Sequence, residues 1–444
     1  MISINNPWVR ASSVIGWALI GWFLVSILGC GDGGVTTTPT AESRTAPLIP
    51  PPPPAVQPDM LTATPQGLLR GKSNGQGQQL IFARANMHQH AFFGDLFLAN
   101  GLVYYPREAP SIILDYPNQD IWNVRADGSQ DHAVLNTTAD EFVLDAQGNV
   151  AIYERGVYTL ADGLARTDYG SLRDGAPLTV LPITERFTGY RFLVGTKAFF
   201  ANEHQIYSTN VDGSGLMTHA TVIAPVNVAA SDAFDNTLIF REYHVGTGAS
   251  TLKATSVSGG GTTSLDDGLS YVSYAGHVGS RVVYQQCVIE IDEDGFPRAG
   301  PCDVVSIDAN GSGRALLASQ GANEAVQGIV GSQVIIRRNV SGNDPLIAVP
   351  VGGGAERLLM TMTDSEFVQL VIGDKLLIGR PSGSWLLDLN GTLTQIGTIA
   401  GQSGFVVIGN AVCLNRGAAA WCMPLDGTGQ AVKIADTGKV IGAL

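Results

Sequence analysis

One short phrase returns along this chain: an alternating apolar strand, a turn built on Asp-Gly or Asn-Gly, and a second short strand. It reads Ile121-Trp122-Asn123-Val124-Arg125-Ala126-Asp127-Gly128-Ser129, then Ile206-Tyr207-Ser208-Thr209-Asn210-Val211-Asp212-Gly213-Ser214, and later Val304-Val305-Ser306-Ile307-Asp308-Ala309-Asn310-Gly311-Ser312. Degenerate copies bring the number to eight, centred on Asp127-Gly128, Asp162-Gly163, Asp212-Gly213, Gly259-Gly260, Asn310-Gly311, Gly352-Gly353, Asn390-Gly391 and Asp426-Gly427. A period of roughly forty residues marks a repeat architecture, which specifies a scaffold and leaves its ligand open.

Two more apolar stretches joined by a turn precede each unit. Examples are Glu141-Phe142-Val143-Leu144 before Val150-Ala151-Ile152-Tyr153, and Phe367–Ile372 before Lys375–Ile378. Four strands per repeat, arranged radially, make a propeller blade. Composition agrees: 54 Gly and 15% charged residues among 444 suit many short strands with tight turns better than helices. The innermost strands should be the branched ones that run into a Gly turn, such as Val371-Ile372-Gly373-Asp374 and Val407-Ile408-Gly409-Asn410. The expected fold is therefore an all-β propeller of four-stranded blades, eight by the turn count, with seven as the alternative. Two pieces are left over, the Asn74-Gly75 turn with Gln79–Phe82 and the terminal stretch Lys439–Leu444. They either close the ring together, or the earlier one caps an edge.

The pattern apolar-x-apolar-x-x-Asp-Gly resembles the outer hairpin of TolB-type and prolyl-oligopeptidase-type propeller repeats over most of residues 65–440. Those repeats carry Trp-Ser-Pro-Asp-Gly between their first two strands. Here the corresponding turns read Asp145-Ala146-Gln147-Gly148, Val194-Gly195-Thr196-Lys197 and Val330-Gly331-Ser332-Gln333. The resemblance implies the fold and does not carry over a partner set.

Arg10 and the apolar run Ala11–Leu28 have the order of a secretion signal. The phrase Ser26-Ile27-Leu28-Gly29-Cys30 resembles the lipobox of bacterial lipoproteins, which implies lipidation at Cys30 and removal of residues 1–29. An uncleaved anchor and a signal cut without lipidation are the competing readings. Residues 30–62, with Pro50–Pro54, are too rich in Pro, Thr and Gly to build a core and read as an extended tether, leaving 63–444 for the propeller. The expected location is the cell envelope, lipid-anchored at the outer membrane and facing the periplasm or the surface.

Four cysteines remain. Val412–Arg416 and Ala419–Met423 read as hairpin arms around Gly417-Ala418, which sets Cys413 opposite Cys422. Cys287 and Cys302 flank the insertion Val288–Pro301 and read as a second local staple. Neither pair has C-x-x-C spacing or accompanying His, so structural disulfides are expected over redox or metal chemistry.

A net charge of −13 with only 26 Lys and Arg argues against nucleic acid. The one Gly-x-Ser-x-Gly match, Gly71-Lys72-Ser73-Asn74-Gly75, reads as a polar turn rather than a nucleophile elbow. His88-Gln89-His90 lacks a third ligand, and Glu290 with Asp292-Glu293-Asp294-Gly295 lacks the spacing of a calcium loop, so no metal or cofactor is expected. Longer connections, Arg107–Gln119, Gly170–Glu185 and Val288–Pro301, are expected on one face. The stapled one supplies the candidate binding residues Asp292, Glu293, Asp294, Phe296 and Arg298. The resulting expectation is a non-catalytic envelope propeller binding a protein, peptide or glycan. The alternatives are a propeller hydrolase or lyase acting on saccharides or peptides, and a passive scaffold. Paired carboxylates in a polar funnel would mark the enzyme; an apolar patch on the loop face would mark the binder.

Overall fold

A computed structural model describes residues 59–83, 96–108, 118–159, 163–183, 191–292, 296–319, 323–339, 343–399, 403–428 and 430–443. Cys30, the proline run, His88-Gln89-His90, Glu293 and Asp294 lie outside the described residues.

Why the Asp-Gly phrase turns the chain is visible at Asp127-Gly128. Arg125 N donates to Ser129 O at 2.9 Å, Gly128 takes φ 84°, and Asp127 Oδ1 accepts both the amide and the hydroxyl of Ser129 at 2.8 and 2.6 Å. The same side-chain clamp recurs at Asp212–Ser214, Asn310–Ser312 and Asp426–Thr428. Only the glycine enters the left-handed region in these turns, so they are type I turns closed by a glycine rather than two-residue turns with two positive φ angles. Glycine is also needed for close approach: a Cβ at Gly128 would stand 2.4 Å from Ile81 O on the neighbouring blade.

Among the described residues the strands form nine antiparallel four-stranded sheets. Blade 1 joins the chain ends: strands Asp59–Thr64, Gly67–Lys72 and Gln79–Ala83 from the beginning, and innermost Lys439–Ala443 from the end. The others follow in order: blade 2 (97–135), blade 3 (140–180), blade 4 (191–221), blade 5 (226–264), blade 6 (271–318), blade 7 (323–362), blade 8 (367–397) and blade 9 (403–435). In each of these eight the strands run outward in sequence.

The core is the set of seams between blades. Nine apolar clusters each span one pair of neighbours, so the series returns to its start and the ring is closed. Val283 and Val304 of blade 6 meet Val334 and Ile347 of blade 7, for example. At the closing seam Met60 and Val440 of blade 1 meet Ile408 and Cys413 of blade 9.

The fold class is thus a propeller, but with nine blades and not the expected eight or seven. The two leftover pieces are one blade: Lys439–Ala443 pairs with Asp59–Thr64 in the register Met60↔Ala443 and Thr62↔Val440. A second expectation fails locally. Gly163 begins the third strand of blade 3, Gly163–Arg173, and the outer turn of that blade is Asp174-Gly175, with φ 49° and 82°. Two Asp-Gly pairs stand in one blade because its middle strands, Val150–Thr159 and Gly163–Arg173, are unusually long.

Both disulfides form as expected, each crosslinking directly opposed residues of the two middle strands: Cys287 with Cys302 in blade 6 and Cys413 with Cys422 in blade 9.

Two outcomes test this architecture. Deleting residues 439–444 strips the inner edge of Asp59–Thr64 and uncovers Met60 and Ile408. The unfolding free energy should drop by at least about 3 kcal/mol, with loss of a single cooperative calorimetric transition. Replacing Cys413 and Cys422 together by Ala should cost about 2–3 kcal/mol in denaturant titration, because the loop closed is short.

Candidate docking face

In blades 2 to 9 the turns joining the first to the second strand and the third to the fourth leave one face of the ring, and the remaining connections leave the other. The first face carries short turns. The second, the loop face, carries hairpin tips and blade-to-blade connections, and over blades 4 to 6 these hold large apolar side chains in water.

Four positions define this ledge. Ile223, in the connection from blade 4 to blade 5, is 83% exposed; Leu269, between blades 5 and 6, is 79% exposed; Ile291 and Phe296, at the hairpin tip of blade 6, are 62% and 67% exposed. Val245 and Val288 are exposed beside them. Backbone contacts hold the supporting loops together. Val245 N donates to Pro225 O at 3.1 Å, and Ser250 N to Ser270 O at 2.9 Å. A Cβ placed on Gly248 would meet Pro297 Cβ at 2.7 Å and Ile289 Cγ2 at 3.9 Å, so the blade 6 hairpin rests against the blade 5 loop. Gln286 Nε2 ties the base of that hairpin to Asp267 Oδ1 and Ser270 Oγ at 3.2 and 3.3 Å. Beside it opens a cleft of about 460 Å³ lined by Ser264, Leu265, Asp266, Asp267, Gln286 and Arg314.

Val288–Pro301 is a strand hairpin more than a loop. Strand Arg281–Ile291 and strand Pro297–Asp308 run past the disulfide, pairing Ile289↔Ala299, Glu290↔Arg298 and Ile291↔Pro297. Of the candidate residues, Asp292 accepts the amide of Phe296 at 2.8 Å, Phe296 projects at the tip, and Arg298 pairs with Glu290 at 2.9 Å. Gly170–Glu185 does not provide a long loop here: residues 170–180 are the outer hairpin of blade 3. Sequence reading also missed Ile223, Val245 and Leu269. Their signal was faint: Val245 and Leu269 are single apolar residues next to Gly246 and Gly268, and Ile223 sits in the short stretch Val222-Ile223-Ala224 before Pro225.

Carboxylates do gather on the loop face, between blades 2 and 3, but they are shut away. Asp140 and Glu141, at the start of an inner strand, are 3% and 0% exposed, and Asp120 is buried next to them. Thr137 organises the group: its hydroxyl donates to Glu141 Oε1 at 2.5 Å, and its amide donates to Asp120. Asp140 Oδ1 accepts the amide of Gln119 at 3.1 Å. Burial pushes Asp140 up to about 7 against the Gln119 amide bond, with Glu154 adding repulsion. Burial likewise pushes Glu141 up to about 7, opposed by the Thr137 bond and Arg155 and reinforced by Asp120 and Asp140. Carboxyls this enclosed cannot be reached by a polymeric substrate, and their neutral forms are what the fold accommodates.

Asp232, Tyr274 and His277 link the inner strands of blades 5 and 6. Tyr274 donates to Asp232 Oδ2 at 2.5 Å, His277 Nδ1 stands 3.3 Å from the same oxygen, and Phe234 stacks on the imidazole at 3.8 Å. Burial and the Asp232 bond raise the Tyr274 phenol. Among the described residues no group of three or more His, Cys, Asp or Glu is placed to hold a metal, and no helix is long and apolar enough to cross a membrane.

No protein-family model matches the chain, and no curated protein matches it. Among solved structures it is similar to the computationally designed Ika8 protein, at 14% identity and TM-score 0.40, over 80% of this chain and 98% of that one. It is similar to BamB from Moraxella catarrhalis at 13% identity and TM-score 0.39, over 74% and 89% of the two chains. It is also similar to an oligogalacturonate lyase in complex with manganese, at 10% identity and TM-score 0.41, over 83% and 96%. Likeness at this level concerns fold alone and brings no activity with it.

The buried carboxyls yield a pH signature. Their folded pKa values lie above the unfolded ones, so the protonated forms favour folding. Their ionisation costs nothing below about pH 4 and its full amount above about pH 7. Glu141→Gln keeps the acceptor for Thr137 and removes the charge. The variant should match the native protein in thermal unfolding at pH 4 and exceed it by about 1–3 kcal/mol at pH 8.

Proposed function

We propose that this chain is an envelope-tethered propeller that docks a protein or peptide partner through the loop face of blades 4 to 6, without chemistry of its own. The observation that carries the reading is the ledge: Ile223, Leu269, Ile291 and Phe296, all more than half exposed, on loops braced against each other around a disulfide-crosslinked hairpin. Large apolar side chains held in water on a rigid support are characteristic of recognition surfaces. The closed setting of Asp140 and Glu141 disfavours hydrolysis or lysis by that pair, since these two carboxyls are not presented to a substrate. The N-terminal phrase ending Leu28-Gly29-Cys30, followed by the Pro-rich stretch, supports attachment of a lipid at Cys30 with the propeller held off the membrane surface.

Each half has its own test. Labelled palmitate should enter the protein in growing bacterial cells and fail to enter Cys30→Ser; equal labelling of both removes the anchor. For docking, in-cell crosslinking should trap a partner on the native chain. The triple variant Ile223→Ser, Leu269→Ser, Phe296→Ser should reduce that adduct at least tenfold, as expected when central apolar anchors are removed. Leu216→Ser, in an outer turn on the opposite face, serves as the control. An unchanged adduct in the triple variant rejects the ledge.

A further inference from the structure

The blade 6 hairpin carries an unpaired strand edge as well as apolar side chains. Inner strand Tyr271–Val278 pairs with Arg281–Ile291 only as far as Tyr271↔Cys287. Among the described residues no strand pairs with the inner side of Val288–Ile291, although that strand continues to pair outward with Pro297–Ala299.

Alternation of the ladder says which groups face that open side. Asp292 N donates to Phe296 O at 2.9 Å, which makes 292 and 296 a hydrogen-bonded pair. Counting back, Glu290↔Arg298 is hydrogen-bonded, while Ile291↔Pro297 and Ile289↔Ala299 are not. The amide and carbonyl groups of Ile289 and Ile291 therefore point away from the hairpin, toward the bare edge. The opposite edge is defended, because Pro297 and Pro301 on the outer strand have no N–H to offer. No proline guards the inner edge.

The surroundings narrow the occupant. Ile291 and Val288 offer apolar contact and Leu269 stands exposed beside the hairpin base, while the hairpin sequence holds Glu290, Asp292, Glu293 and Asp294 against Arg298 alone, with Asp266 and Asp267 next to its base. A segment that satisfies an open strand edge must be extended, and here its side chains meet alternately apolar and acidic neighbours. Resting on the docking reading above, we propose that the Val288–Ile291 edge takes an added antiparallel or parallel strand from the partner, an extended peptide segment alternating apolar and basic residues.

The probe is a fluorescein-labelled nonapeptide of alternating valine and lysine, titrated by anisotropy against the full chain. It should bind, and hydrogen exchange of the Ile289 and Ile291 amides should slow on binding. A peptide N-methylated at alternate amides should bind at least tenfold more weakly, as should one with glutamate in place of lysine. Ile291→Pro should weaken binding at least tenfold with an unchanged melting temperature, because the lost N–H serves no hairpin bond. The N-methylated peptide tests the edge without altering the protein. No binding, equal binding of the methylated peptide, or unslowed exchange overturns strand addition. So does a concentration-dependent dimer of the chain that the peptide cannot displace. If Leu269→Ser and Phe296→Ser still abolish the crosslinked adduct while Ile291→Pro leaves it intact, the ledge survives and strand addition alone fails. If neither change affects the adduct, the docking reading itself falls.

Discussion

Closure of the ring depends on one strand. Each seam buries apolar residues from two blades, so every blade needs a neighbour on both sides, and a linear array would leave two faces in water. The chain solves this by lending Lys439–Ala443, the last strand among the described residues, to the sheet begun by the first of them, Asp59–Thr64. Val440 and Met60 then complete the seam with blade 9, and Ile441 joins Leu61 and Val103 in the seam with blade 2. Because the clasp is formed by residues far apart in sequence, blade 1 can be completed only after the rest of the ring has been synthesised.

The same division explains how much could be read beforehand. Architecture was legible because the turn chemistry is local: Asp127 and Ser129 make their clamp with each other, and Gly128 meets its φ requirement alone. Cys413 and Cys422 were legible for the same reason, lying on arms joined by a two-residue tip. Blade 1 was legible only as one of two alternatives, since its membership depends on a pairing between the two ends, and no local pattern in Lys439–Ala443 names Asp59–Thr64 as its partner. Blade 3 misled in a different way: a second Asp-Gly fell within a hairpin long enough to look like the outer turn.

The ledge and the buried carboxyls were hidden for opposite reasons. Ile223, between Val222 and Ala224, and Leu269, after Gly268, lie in connections, and only the folded ring sets them on the same face as Ile291. Asp140 and Glu141 have the sequence character of solvated acids at the start of a strand. Tertiary packing encloses them and ties them to Thr137 and Gln119. Exposed apolar and buried acidic groups thus both depart from the binary pattern, and only the first is presented to a partner.

An exposed apolar hairpin with an open edge is a hazard for aggregation, and blade 6 contains features that limit it. The Cys287–Cys302 crosslink fixes the register where the sheet narrows to two strands. A two-stranded ribbon is marginal by itself, and the crosslink and the contact of Pro297 with the Gly248 loop brace its arms Val288–Ile291 and Pro297–Ala299. Prolines close the outer edge, and acidic residues repel acidic chains, including copies of this one at net charge −13. What remains available is a single short edge, flanked by negative charge, which admits a basic extended segment and disfavours the chain's own strands.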